Sequence, residues 1–472
     1  MMPVIRNREL KRVETLKNNW KLKEALKYLN DFDKNKDLST LERFQFYFLK
    51  SSILIELFNS GEAMKYAELA HEESKKLESD YQIIKVLLLK LRIFASLLDS
   101  INHLKMITDA EKILARNNQK STKEFRILKG HVLLRKGTYY LRIGDFNKSL
   151  MFLGEVSQLA KELNDKKLTL LTTKWLGFSY STKGESNRAL EYEKRYLASA
   201  IKLNDKQEII GAHNALGMEF TVKGEINKAI EHLEKGLSLC YEIKSWKTFI
   251  VSDTLFNAYI ELNSLEKAQH LHDRMGELVK KGTWKFNEQI YRLQKATLLK
   301  KKLDETSLSK AEVIFKDVAD KEVTNVETKI YALVNLCDIY LTKLKETGNL
   351  KELDKTQPYI DKIRSIAENE EVYTLLIEMY ILQAKLKLIS FEFKEAQEHL
   401  TQALDVAHKH ELNLLVKKIE YEQTELSKNF IKWEHLRKAG GKLSERMDLA
   451  RIDEQIQIIL QKRNYLKGVR ST

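Results

Sequence analysis

The chain has 472 residues, 43% hydrophobic and 31% charged, which allows a large core with a wet surface and excludes a disordered or membrane-filling chain. Only two prolines, Pro3 and Pro358, and 17 glycines break it, so long helices with short joints are predicted and strand-rich folds are excluded. The net charge of +14 steers acidic partners toward it, and two cysteines, Cys240 and Cys337, supply neither a disulfide framework nor a metal cluster.

From the N-terminus, Met1-Met2-Pro3-Val4-Ile5-Arg6 lacks the apolar run of a signal peptide. The richest apolar tract, Leu375 to Phe391, carries Glu378, Lys385 and Lys387, so no membrane insertion is expected. A cytoplasmic location follows as the expectation. Val13 with Ala25 marks a first helix hairpin. Leu57 and Gly61 take the aromatic and helix-ending places of another, with Ala67 as its small residue, whereas residues 80–118 show apolar periodicity alone.

The clearest signal lies between residues 130 and 270, where three segments superpose at a spacing of 40 residues without a gap. Gly137, Gly177 and Gly217 lead them, followed three residues later by Tyr140, Tyr180 and Phe220. Glycines return at Gly144, Gly184 and Gly224, and small residues at Ser149, Ala189 and Ala229. This is the pattern of a helix hairpin: a small residue on helix A lets helix B approach, the aromatic fills the gap, and the second glycine ends helix A. The joints repeat as Leu163-Asn164-Asp165-Lys166 and Leu203-Asn204-Asp205-Lys206, with Asn suited to a left-handed turn and Asp to a helix cap. Phe256, Tyr259, Asn263 and Ala268 continue the frame, then Ala296 with Ala311, Cys337 with Tyr340, and Ala384 with Ala396.

These residues resemble the tetratricopeptide-repeat family, sharply over 130–270 and loosely elsewhere. The period near 40 and the absence of a proline closing helix B make the likeness one to long-repeat members, such as kinesin light chains and maltose-regulator-like regions. The resemblance implies an all-α, right-handed superhelical solenoid of about ten antiparallel hairpins with a C-terminal capping helix. The expected division is a repeat solenoid over 1–410, a capping helix region over 411–438 and a separate basic helix and tail over 439–472.

The same resemblance implies a concave groove lined by helices A, which holds a protein or peptide segment. Its lining would include Arg135, Arg142, Lys174, Phe178, Asn214, Met218, Asp253, Asn257 and Asn335, with Asn recurring because its amide both donates to and accepts from an extended backbone. The alternative is a basic helical-repeat protein whose asparagines read nucleic-acid bases. The Lys and Asn of a carboxylate clamp are not reproduced, since Phe178 follows Lys174 at that place.

Chemistry has little to use. His270 with His272 and His408 with His410 stand two apart on helices and point to different faces, and no glycine loop has phosphate-binding spacing. No metal, cofactor or catalytic residue is predicted, and the chain is read as a scaffold or adaptor.

Past the Gly440-Gly441 break, Leu449, Ile452, Ile456 and Ile459 form a short coiled-coil seam on one helix expected over Lys442 to Leu466. That seam predicts a cap over the last hairpin in a monomer, or alternatively a dimer contact, with Lys462, Arg463, Lys467 and Arg470 beside it.

Overall fold

Runs of apolar residues three and four apart, punctuated by Asn, Asp and Gly, fold here into helices, with no strand among the described residues. The structure is a computed structural model that describes residues 8–32, 38–57, 59–97, 100–117, 122–245, 247–280, 285–320, 326–369, 372–410 and 412–460. Ten hairpins run in order along them: α1 (Arg8–Asn18) with α2 (Leu22–Phe32), α3 (Thr40–Glu56) with α4 (Ser60–Lys76), α5 (Asp80–Leu97) with α6 (Ser100–Arg116), and α7 (Lys123–Ile143) with α8 (Phe146–Glu162). The middle of the chain pairs α9 (Lys166–Thr182) with α10 (Ser186–Lys202), α11 (Lys206–Val222) with α12 (Ile226–Glu242), and α13 (Thr248–Glu261) with α14 (Leu265–Lys280). Then come α15 (Lys285–Lys301) with α16 (Glu305–Asp320), α17 (Val326–Thr347) with α18 (Lys351–Asn369), and α19 (Tyr373–Ile389) with α20 (Phe393–Lys409). Four helices close the described chain: α21 (Asn413–Lys428), α22 (Phe430–Ala439), α23 (Leu443–Ala450) and α24 over 452–460.

Local chemistry makes each joint. Gly144, Gly184 and Gly224 close α7, α9 and α11 at φ of 89°, 83° and 73°, a region open to glycine at little cost. Asn164 and Asn204 take the same left-handed turn at φ of 50° and 51°. Asp165 and Asp205 then accept hydrogen bonds from the Leu168 and Glu208 backbone N–H groups, at 2.8 and 3.2 Å. Gly61 behaves differently from the expectation, because the chain turns at Leu57 and Gly61 sits inside the first turn of α4.

Within hairpins the predicted aromatic packs against a partner 12 residues later: Tyr140 on Phe152, Tyr180 on Tyr192 and Phe220 on His232, with ring centroids 5.5, 5.3 and 5.5 Å apart. Lys148, Arg188 and Lys228 lie over the three leading rings at 5.4, 5.5 and 5.7 Å. Ser149, Ala189 and Ala229 are wholly buried, so the two helices of each unit meet closely.

Every helix from α1 to α21 packs on the next in sequence. Odd-numbered helices also touch the next odd-numbered one along most of the stack, and consecutive even-numbered helices do so to no comparable degree. The odd helices are therefore the inner layer of the superhelix, and their outward-facing residues line its concave side.

The C-terminal segment departs from the expected single helix over 442–466. The backbone breaks at Arg451, which caps α23 in the left-handed conformation at φ 54°. Nor does it stand apart: α23 packs against α17 and α19, and Leu443, Met447, Ala450, Ile452, Ile456 and Ile459 join the core of the last three hairpins. The end of the stack is covered instead by α22, whose buried Trp433 meets Phe391 and Phe393 edge-on. Lys462, Arg463, Lys467 and Arg470 lie outside the described residues. Among the described residues no helix is long and apolar enough to cross a membrane.

Candidate functional site

Three successive inner helices build one pocket. Residues 40 apart stack on neighbouring helices, so Lys174 and Phe178 of α9 lie beside Asn214 and Met218 of α11, and the first turn of α13 brings Ile250 and Val251. Lys247 precedes that turn and closes the side, while Trp175 and Glu193 reach up from below. The inner space is about 50 Å³. Trp175 is buried and meets Phe178 edge-on, with centroids 5.9 Å apart at 89°.

The walls are charged. Lys247 is buried and donates from Nζ to the Gln207 carbonyl at 2.8 Å, which fixes it across the α11–α13 joint. Burial pushes the Lys174 ammonium down to about 8, and Glu208 opposes that change. For Glu208 burial favours the neutral acid, but Lys247, Lys174 and the hydrogen-bonding Tyr196 hydroxyl more than reverse it and hold the carboxyl at about 2.

The floor is acidic and underdonated. Behind the lining, Ser181 donates its hydroxyl to one oxygen of the buried Glu219, whose Oε1 has no donor. Glu193 is 3% exposed, and its Oε2 has no donor. Asn214 spends its amide nitrogen on the Met218 sulfur at 3.5 Å, a weak acceptor, and its Oδ1 is likewise undonated. The one counterpart of opposite kind is the Trp175 indole N–H, which finds no acceptor. In the lining, two acceptors against one donor is an imbalance for buried groups, which are nearly always paired.

Four of the nine residues predicted for the groove, Lys174, Phe178, Asn214 and Met218, thus meet in one pocket. The others lie elsewhere. Arg135 is half-buried on α7, where burial and the nearby Arg92 push its guanidinium down to about 9. Arg142 is buried against the Tyr139 ring, 5.7 Å from its centroid, beside the buried His103. Asp253 is buried and accepts from Gln294 at 3.2 Å, and Asn257 donates to the Asp253 carbonyl of its own helix at 2.8 Å. Asn335 is inside the α15–α17 wall, accepting from Lys300 and donating to the Tyr331 carbonyl at 2.8 Å. Its amide is committed to the fold.

Sequence reasoning passed over Glu193, Glu219, Trp175 and Lys247. For Glu193 a signal existed. Leu153, Glu193 and Leu233 hold the same place in three repeats, opposite Gly137, Gly177 and Gly217, and both leucines are wholly buried. A carboxylate where the repeat calls for leucine is a local violation of the kind that marks function.

No model of a known protein family matches the sequence, and no curated protein sequence does. Among solved structures the chain is similar to a Rap protein complexed with Competence and Sporulation Factor, at 12% identity and a TM-score of 0.50, over 85% of this chain and 97% of that one. It is also similar to the Rap conjugation gene regulator of the plasmid pLS20 in complex with the Phr* peptide, at 13% identity, 76% and 96% coverage and a TM-score of 0.46. The apo form of the quorum sensor NprR from B. thuringiensis aligns at 14% identity, 79% and 98% coverage and a TM-score of 0.42. The first of these likenesses extends along nearly the whole helical stack.

Proposed function

Because this chain is a tetratricopeptide-type helical-repeat solenoid, we propose that it holds an extended peptide or a segment of a partner protein in the pocket between α9, α11 and α13, without chemistry of its own. The observation that carries this reading is the undonated Asn214 Oδ1 in a pocket that also presents Phe178, Met218 and two lysines. An extended backbone brings N–H groups for the amide oxygen, carbonyls for Lys174 and side chains for the aromatic wall. The Rap protein of similar fold is seen complexed with Competence and Sporulation Factor, which agrees with a ligand-holding stack. The net charge of +14 makes an acidic segment the favoured partner overall.

The working unit is a monomer in a reducing cytoplasm. A monomer is supported by Ile452, Ile456 and Ile459, which pack in the chain's own core, and a reducing compartment agrees with two free, buried cysteines. Reading of bases by a row of asparagines loses support, since Asn257 and Asn335 are engaged within the walls.

The test is a peptide array probed with the full chain, followed by affinity measurements on the best peptide. Asn214→Ala and Lys174→Glu are each expected to weaken binding about tenfold, the order of one good hydrogen bond or charge contact, with the melting temperature unchanged in Asn214→Ala and lowered in Lys174→Glu, which takes a cation from Glu208. Equal affinity in both variants would move the site out of this pocket.

A further inference from the structure

Resting on the reading that this pocket is the ligand site, we propose that its floor receives a cationic, hydrogen-bond-donating group of the bound segment, a guanidinium or an ammonium, seated at Glu193 and the Asn214 amide oxygen. The position of Glu193 is the first ground. Its equivalents Leu153 and Leu233 fill the seam between helices A and B, so packing alone calls for an apolar side chain there. The Glu193 side chain lines the pocket instead, and Gly177 leaves it room, since a Cβ at that glycine would stand 3.1 Å from the Glu193 Cγ.

The second ground is the direction of the missing partners. Glu193 Oε2 and Asn214 Oδ1 both ask for donors, and a guanidinium or ammonium carries three or more and no acceptor. A carboxyl lining the pocket, with a second one behind it, favours a positive guest over a neutral one. The Phe178 and Trp175 rings stand where the apolar stem or flat face of such a group would rest. Lys174 and Lys247 do not already fill this role: Lys247 is bonded to the Gln207 carbonyl, and both act on Glu208. The charge acting on Glu193 is that of Glu219, which with burial raises its carboxyl well above the usual range. Ser181 from α9 meanwhile holds Glu219. The bound segment would be acidic overall with one basic group aimed inward.

The experiment titrates the full chain calorimetrically with 1-propylguanidine, 1-propylammonium and the isosteric, uncharged 1-propylurea. Saturable binding of at least one cation, tenfold or more tighter than the urea, is expected. Glu193→Gln should weaken it at least tenfold. Glu193→Leu restores the residue type of the neighbouring repeats, so it should fold with an equal or higher melting temperature and still lose the cation. Binding of the urea as tight as the cations, or cation binding indifferent to both variants, overturns the proposal. So does equal competition by sodium, potassium or magnesium chloride, which would make the floor an inorganic ion site. On the peptide array, enrichment of internal Arg or Lys assigns the group to a side chain, and loss of signal on N-acetylation assigns it to an amino terminus. Peptides that need Asn214 but show neither preference would sink the cation and leave the pocket reading intact.

Discussion

The inner face of the solenoid exists in two conditions, and the contrast is informative. Along α17, α19 and α21 it is filled by the chain's own α23 and α24. There Glu378 is buried and accepts from Lys418 and from Gln455 Nε2 at 2.9 Å, and Gln455 also reaches the Glu378 carbonyl at 3.0 Å. Lys385 donates to Glu422 at 3.0 Å and to the Ala450 carbonyl at 2.9 Å, and Arg446 donates to the Ile389 carbonyl at 2.8 Å. Along α9, α11 and α13 the same face carries Asn214, with Glu193 reaching in from α10, and each keeps an acceptor undonated. One stretch shows how these inner helices look when a segment with apolar and polar faces lies on them, and the other retains the unmet demands of a surface built for one.

The most forceful way to break this comparison is to spoil the filled half. Ile456 is buried at 1% exposure in the core shared with α17 and α19, so Ile456→Asp loses apolar burial and inserts an unpaired carboxylate. A loss of about 3 to 5 kcal/mol in urea unfolding is expected, with light scattering still giving the 55.2 kDa of one chain for the folded fraction. A dimeric wild type dissociated by this change, with stability kept, would mean that the seam joins two chains.

The open half is broken most sharply at Gly217. A Cβ there would lie 2.4 Å from the Leu233 Cγ, so Gly217→Leu must part α11 from α12 and should cost about 3 kcal/mol or more. Gly61→Leu is the control, because nothing lies within 4 Å of the corresponding Cβ and that variant should stay within about 0.5 kcal/mol of wild type. Equal costs would remove the close helix contact from the account of the repeat.

How far these features could be read beforehand follows from where the repeat is strict. The turn glycines, Asn164, Asn204, Asp165 and Asp205 act as their side-chain chemistry requires, because local backbone geometry needs no knowledge of the rest of the fold. The inner stripe was legible only in part. Lys174, Phe178, Asn214 and Met218 converge, but Arg142 and Asn335 turn into the walls, since small changes in helix rotation move a stripe residue from groove to seam. The return of α23 and α24 onto α17 and α19 was hidden altogether, because a seam of Ile452, Ile456 and Ile459 fits a cap, a dimer or an inner face equally well.

A smaller effect sharpens the electrostatic half of the comparison. Glu208 is a stronger acid folded than unfolded, so its stabilisation is complete above its ordinary value of 4.5 and is lost as pH falls from there toward about 2. The displacement corresponds to roughly 3 kcal/mol at neutral pH. Glu208→Gln should therefore lower stability by about 2 to 3 kcal/mol at pH 7 and flatten the acid limb of the stability curve between pH 4.5 and 2. An acid limb as steep in the variant as in wild type would show that Lys174 and Lys247 do not lean on this carboxylate.

The smallest expected effect separates the two halves at their joints. In the open half α9 and α11 begin on Asp165 and Asp205, whose side chains cap the first turn. In the filled half α19 and α21 begin on Val372 and Leu412, which make no side-chain cap and are buried instead. The starts of α9 and α11 are thus held by hydrogen bonds and those of α19 and α21 by apolar packing. Asp205→Ala should cost about 1 kcal/mol, too little for more than about a degree or two in the melting temperature of a long chain. The effect should be local, with faster hydrogen exchange at the Glu208 amide that Asp205 holds and no change at the Leu376 amide of α19. Asp205→Asn keeps an acceptor at the cap while removing the charge that pairs with Lys167 at 3.2 Å, so it should restore most of the protection. Exchange raised equally at both amides by Asp205→Ala would mean that the solenoid frays as one body, and that the two halves do not differ in how their helices are started.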